Sequence, residues 1–141
     1  MKLSPIVIVE DDNDDCELLM NVFQEIGVQN QFRCFDNPVS ALEYLKQTPE
    51  LPFIIISDIS MPKMDGLAFK RVINEDNNLR RKRIPFVFLS TATSEPLLDE
   101  AFNLSVQGYF KKPNDINSLK GIALAIVEYW RHNIVLPPIK N

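Results

Sequence analysis

The chain has 141 residues, 45% hydrophobic and 24% charged, with a formal net charge of −4 and a pI near 5.0. This is the size of one globular domain with its own core, and the negative balance argues against general affinity for nucleic acid or an anionic membrane surface, which both need a positive field. No apolar run is long enough for a bilayer span and "MKLSPIVIVEDD" carries no cleavable signal pattern, so a mature, soluble, cytoplasmic protein without membrane contact is expected.

"PIVIVE" reads as a short buried strand, and the acids after it lead into a helix through Cys16, Leu19, Phe23 and Ile26, apolar positions three or four apart, ended by Gly27. "QFRCF" has the length and residue types of a second strand. Asn37 then offers an N-cap with Pro38 at the first helical position, which starts a helix through Leu42 and Leu45. "FIIIS" is the third strand. After the turn at Asp65 and Gly66, "LAFKRVINED" has helical spacing through Leu67, Phe69, Val72 and Ile73. "RIPFVFLST" returns to a strand, "EPLLDEAFNLS" to a helix starting near Pro96, and "GYFKK" to a fifth strand broken by Pro113. "SLKGIALAIVEYWRH" closes with a helix through Leu119, Ile122, Ile126 and Trp130. No internal repeat or linker interrupts the pattern.

Five apolar strands alternating with five helices predict an α/β fold, a doubly wound five-stranded parallel sheet covered on both faces. Right-handed crossovers favour the flavodoxin-like order 2-1-3-4-5, whose site lies at the carboxyl ends of the strands where the connections after strands one and three diverge. The domain is expected to span residues 1–132. The tail, residues 133–141, "NIVLPPIKN", is too short for an output domain. Its apolar Ile134, Val135 and Leu136 either fold back on their own domain or form a homodimer contact.

Asp58 ends the apolar third strand, where an unpartnered carboxylate would cost several kcal/mol. The predicted topology sets it beside Glu10 and Asp11 at the end of the first strand, and three like charges in one crevice call for a cation. Carboxylate oxygens, a carbonyl and phosphate are the donors Mg²⁺ prefers. Ser90 at the end of the fourth strand supplies a hydroxyl and Lys112 at the end of the fifth an ammonium. Together these groups would stabilise phosphoryl oxygens while Asp58 attacks phosphorus to form an aspartyl phosphate.

In "IVIVEDD", "SDISMPKMDG", "FLST" and "GYFKKP", met in that order at four strand ends, the chain resembles the receiver domains of two-component response regulators over nearly its full length. The resemblance implies a stand-alone phosphorelay protein that takes a phosphoryl group on Asp58 from a histidine kinase or phosphotransfer protein and signals to a downstream protein target. It implies that Glu10, Asp11, Asp58 and the backbone carbonyl of Ser60 hold Mg²⁺, that Lys112 contacts the phosphoryl group, and that Ser90 and Tyr109 form the switch. Asp12 competes with the Glu10 and Asp11 pair, and Thr91 with Ser90; the family register selects Glu10, Asp11 and Ser90. The bond between Lys112 and Pro113 is implied to be cis. No enzymatic turnover is implied beyond self-catalysed phosphotransfer and autodephosphorylation.

The other reading is a phosphohydrolase working through an aspartyl phosphate, but such enzymes carry a second acid two residues after the nucleophile, where this chain has Ser60, and no cap domain is evident. A flavin-binding role is disfavoured by acids where the first loop would need glycine or hydroxyls. Cys16 and Cys34 lack metal-ligand spacing and are read as buried free thiols in preference to a disulfide or redox pair. "RRKR", Arg80 to Arg83, is read as a solvated basic run at a helix end, and the sole histidine, His132, as carrying no chemistry.

Overall fold

The computed structural model describes residues 3–132. The strands are β1 (Ile6–Val9), β2 (Phe32–Phe35), β3 (Ile54–Ser57), β4 (Phe86–Ser90) and β5 (Gly108–Lys111); the helices are α1 (Asn13–Glu25), α2 (Pro38–Gln47), α3 (Gly66–Glu75), α4 (Asn77–Arg81), α5 (Glu95–Asn103) and α6 (Ile116–Arg131). All strand pairings are parallel, in the order β2-β1-β3-β4-β5, as expected. None of the helices described is long and apolar enough to cross a membrane.

The sheet's two-residue period sorts the core into two layers. Ile6, Ile8, Ile54, Ile56, Val87 and Leu89 face α1 and α6, where they meet Leu19, Phe23, Ile126 and Val127. Val7, Val9, Ile55, Phe86 and Phe88 face the opposite layer with Leu42, Leu45, Phe69 and Leu79. Both faces of β1, β3 and β4 are buried, which is why these strands read as continuous apolar runs instead of alternating ones. A one-residue slip in any of them would exchange the two layers, so the register is firmly set.

The helix starts follow local capping. Asp12 Oδ1 accepts from Asp14 N and Asp15 N, Asn37 Oδ1 from Ser40 N, Asp65 Oδ1 from Ala68 N and Asp115 Oδ2 from Ser118 N, each satisfying donors that the first turn leaves open.

Three expectations need correction. Five helices were expected, and six are described: Asp76, in extended backbone, ends α3 and caps α4 through Asn78 N and Leu79 N, with Leu79 buried beneath it. Cys16 and Cys34 are not two buried free thiols. They form a disulfide between α1 and β2; Cys16 is buried, while Cys34 is exposed because β2 is an edge strand. The bond between Lys112 and Pro113 is trans, since no cis peptide occurs among the described residues. Trans is the more favourable isomer of an X-Pro bond, and with it Lys112 N donates to Ser90 O at 3.0 Å.

The basic run closes α4. Arg80 and Arg81 lie exposed in its last turn, and Lys82 Nζ donates to Leu45 O at 2.7 Å, capping the C-terminal end of α2. The expectations for residues 133–141, including a homodimer contact through Ile134 to Leu136, lie outside the described residues.

Candidate phosphoryl-acceptor site

Two backbone bonds carry the parallel ladder past the strands and deliver the acids. Glu10 N donates to Phe35 O at 2.9 Å and Asp58 N to Val9 O at 3.0 Å, so the side chains leaving β1 and β3 emerge side by side. Glu10, Asp11 and Asp58 each present a carboxylate oxygen within 4.8 Å of the others. Glu10 is buried, Asp58 half-buried and Asp11 exposed. Asp12 is not in this group, because its carboxylate caps α1.

Lys112 reaches into the same space from the end of β5. Its Nζ lies 2.8 Å from Glu10 Oε2, 3.1 Å from Asp15 Oδ2 and 3.2 Å from Asp58 Oδ2. One ammonium thus faces three carboxylates, with Asp11 beside them, and leaves a negative excess. Burial pushes the Glu10 carboxyl up to about 7, against the opposing hydrogen bond and charge of Lys112. For Asp58, burial also acts upward, but a hydrogen bond from Ser90, the charge of Lys112 and the bond from Ile59 N outweigh it and hold the carboxyl below its usual range. Lys112 is pulled down by burial and raised further by Glu10 and Asp58, so it stays protonated. The donor set fits Mg²⁺: hard oxygen ligands, an unmet negative charge, and one exposed side open to a phosphate-bearing partner.

The hydroxyl and the aromatic are linked through one residue. Ser90 is fully buried; its hydroxyl helps to lower the Asp58 carboxyl, and its Oγ accepts from Ala92 N at 3.2 Å. Tyr109 Oη donates to Ala92 O, and its ring lies 5.8 Å from that of Phe88. Thr91, the competing hydroxyl, is exposed. Ser60 lies exposed in the turn after β3.

Three contributors were not read from the sequence. Asp15 stands in the first turn of α1, an ordinary place for an acid, and only the fold shows it ion-paired to Lys112. Ser57 Oγ donates to Asp58 O at 2.7 Å. Gly66 N donates to Ile59 O at 2.8 Å, and a Cβ at Gly66 would stand 2.2 Å from Asp58 O. The Asp-Gly pair at the head of α3 was the available signal, though it reads first as a turn.

The response regulator receiver domain profile matches residues 6–123. The probable methanogenesis regulatory protein FilR2 of Methanothrix harundinacea is 33% identical over 129 residues, covering 89% of this chain and 82% of that protein. Response regulator Rcp1 of Synechocystis is 27% identical over 137 residues, 94% of this chain and 92% of that one. Among solved structures, the phosphorylated cyanobacterial phytochrome response regulator RcpA superposes with a TM-score of 0.83 at 29% identity, over 95% of this chain and 98% of RcpA. The Mn²⁺-bound form of Rcp1 gives 0.82 at 26% identity, over 96% and 99%.

Proposed function

Because the chain belongs to the response regulator receiver domain family of two-component signalling, we propose that Asp58 is its phospho-acceptor, charged by a histidine kinase or phosphotransfer protein. Receivers of this family take phosphoryl groups from histidine kinases, act on downstream targets and bind Mg²⁺ at an acidic site. The observation that carries the residue assignment is the convergence of Glu10, Asp11, Lys112 and Ser90 on the Asp58 carboxylate.

Asp58 is held ionised and therefore nucleophilic at neutral pH. A carboxylate oxygen of Asp58 attacks the phosphorus of a phosphohistidine; the new O–P bond forms as the P–N bond breaks, and the imidazole leaves with a proton. Lys112 and the hydroxyl of Ser90 then meet phosphoryl oxygens instead of the bare carboxylate. Glu10, Asp11, Asp58 and the Ser60 carbonyl would hold Mg²⁺, which neutralises phosphoryl charge. Ser57 and Ile59 N fix the acceptor's backbone and its second oxygen, so the nucleophile is oriented before the donor arrives.

The functional unit is residues 1–132 working as a cytoplasmic switch on a protein target, without direct nucleic acid contact. The match over 92% of Rcp1, a response regulator of similar length, supports this reading. Incubation with a small phospho-donor and Mg²⁺, followed by intact mass and peptide mapping, is expected to place one phosphoryl group on Asp58. Asp58→Asn is expected to abolish labelling while the circular dichroism spectrum is unchanged, since the amide fills the same space but is no nucleophile. Labelling of that variant at the parent rate would overturn the assignment. Continuous turnover of free donor at enzymatic rates would favour a phosphohydrolase instead.

A further inference from the structure

The disulfide sits at the rim of the acidic site. Cys16 follows Asp15, whose carboxylate meets Lys112, and Cys34 precedes Phe35, whose carbonyl accepts from Glu10 N. The S–S bond therefore closes a small ring that runs from Cys34 through Phe35, across the backbone bond to Glu10, and along the loop into α1. An open cleft of about 360 Å³, lined by Glu10, Asn13, Cys16, Cys34, Phe35 and Asp36, gives solvent access to the same place. Cys34 is exposed, whereas Cys16 is 5% exposed.

We infer that Cys16–Cys34 is a thiol–disulfide exchange site which takes a dithiol as its reductant at Cys34, and that its state sets how firmly the loop carrying Glu10 and Asp11 is held. The asymmetry of burial fixes the order of events. A thiolate of the dithiol attacks Cys34 Sγ; the bond to Cys16 Sγ breaks, and Cys16 leaves as a thiolate that takes up a proton. The second thiol of the reductant attacks its own sulfur in the mixed disulfide and releases Cys34. Two electrons pass from the dithiol, which departs as a disulfide, to the cystine, which becomes two thiols. In the reducing cytoplasm proposed above, an accessible disulfide is characteristically transient and sensing, not structural.

The second half of the inference follows from preorganisation. With the ring closed, residues 10–15 are tied covalently at Cys16 as well as by the Glu10 backbone bond, the Asp12 cap and the Lys112 ion pairs; with it open, only the non-covalent ties remain and more freedom must be given up to gather the carboxylates. Only this half rests on the reading of Glu10 and Asp11 as Mg²⁺ ligands.

The test uses the full chain, oxidised with glutathione disulfide or reduced with dithiothreitol, with free thiols counted by alkylation and mass spectrometry. Zero alkylated cysteines after oxidation and two after reduction are expected, with the fold retained in both. Mg²⁺ titration followed by amide chemical shifts of residues 10–15 is expected to need on the order of threefold more Mg²⁺ in the reduced protein, and Cys34→Ser should match the reduced protein and ignore oxidant. A Cys-X-X-Cys protein reducing the bond much faster than dithiothreitol at equal driving force identifies a protein dithiol as the reductant, and equal rates identify small dithiols. Two alkylatable cysteines after oxidation overturn the exchange site. Identical Mg²⁺ titrations in the two states overturn the coupling. A failure of the Asp58 assignment would show separately, as absent phosphoryl labelling in both states with the thiol counts unaffected.

Discussion

At the scale of single residues, Asp58, the proposed acceptor, depends on a position that carries no functional group. Gly66 opens α3, and its Cα passes so close to the acceptor's backbone that an added Cβ would lie 2.2 Å from Asp58 O, 2.9 Å from Ile59 Cα and 2.9 Å from a ring carbon of Phe88. Two of the three obstacles are main chain, and the third belongs to a fully buried ring, so none can swing aside. Gly66→Ala is therefore expected to destabilise the domain by about 3 kcal/mol, the upper end for overpacking, because the backbone of Asp58 must move. It should also slow phosphoryl labelling by displacing the nucleophile. Urea unfolding beside a labelling time course checks both effects; a loss of stability within the range of an ordinary surface substitution would mean that α3 can retreat from Asp58 at little cost. The acids and the lysine were legible because each ends a strand, where charge is unexpected. Gly66 and Asp15 were not, because glycine after aspartate is ordinary turn chemistry and an acid in a first turn is ordinary helix chemistry.

At the scale of elements, long apolar periodicity proved readable and short local structure did not. The strands and the longer helices stand where spacing put them, and the sheet order is the common solution that alternation and right-handed crossovers favour. α4 escaped because five residues are too few to show a period, and its sequence, "NNLRR", offers one apolar residue. What makes this helix is its cap. Asp76 N donates to Val72 O to close α3, while Asp76 Oδ1 accepts from Asn78 N and Leu79 N to open α4, so one residue ends one helix and begins the next. Asp76→Ala is expected to cost about 1 kcal/mol, and Asp76→Asn much less, since the amide oxygen can still accept. Thermal unfolding of the two variants beside the parent decides it; equal losses would shift the stabilisation from the cap to the negative charge. The disulfide escaped for a different reason. Cys16 and Cys34 are 18 residues apart in a helix and an edge strand, and no local pattern states that α1 crosses β2 at that height.

At the scale of the whole molecule, the question is how a charge added at one end of the sheet is felt on an outer face. The hydroxyl of Ser90 acts on the Asp58 carboxyl, Ser90 Oγ accepts from Ala92 N, and Ala92 O accepts from Tyr109 Oη. Tyr109 stands on β5, the edge strand between α5 and α6, and Phe102, Ile116, Leu124 and Tyr129 on those two helices are exposed apolar side chains. A phosphoryl group on Asp58 would set acceptor oxygens farther from the backbone than the carboxylate oxygens. In the proposed switch, the hydroxyl would follow them and give up Ala92 N, the segment after β4 would move, and Ala92 O would no longer hold Tyr109 in its present place. The ring would then be free to turn toward the core, which would reshape the α5, β5 and α6 face. A differential affinity of a few kcal/mol between the two arrangements suffices for a partner to read phosphorylation as binding. Ser90→Ala removes the follower without removing the nucleophile or Lys112, so it should label at Asp58 and yet couple weakly. The check is the change in NMR chemical shifts around Tyr109 when Asp58 is labelled, in the parent and in the variant. A large change in the parent and a small one in Ser90→Ala is expected. Equal changes would mean that the face responds through Lys112 and β5 directly, and the route through Ala92 would be only a resting-state contact.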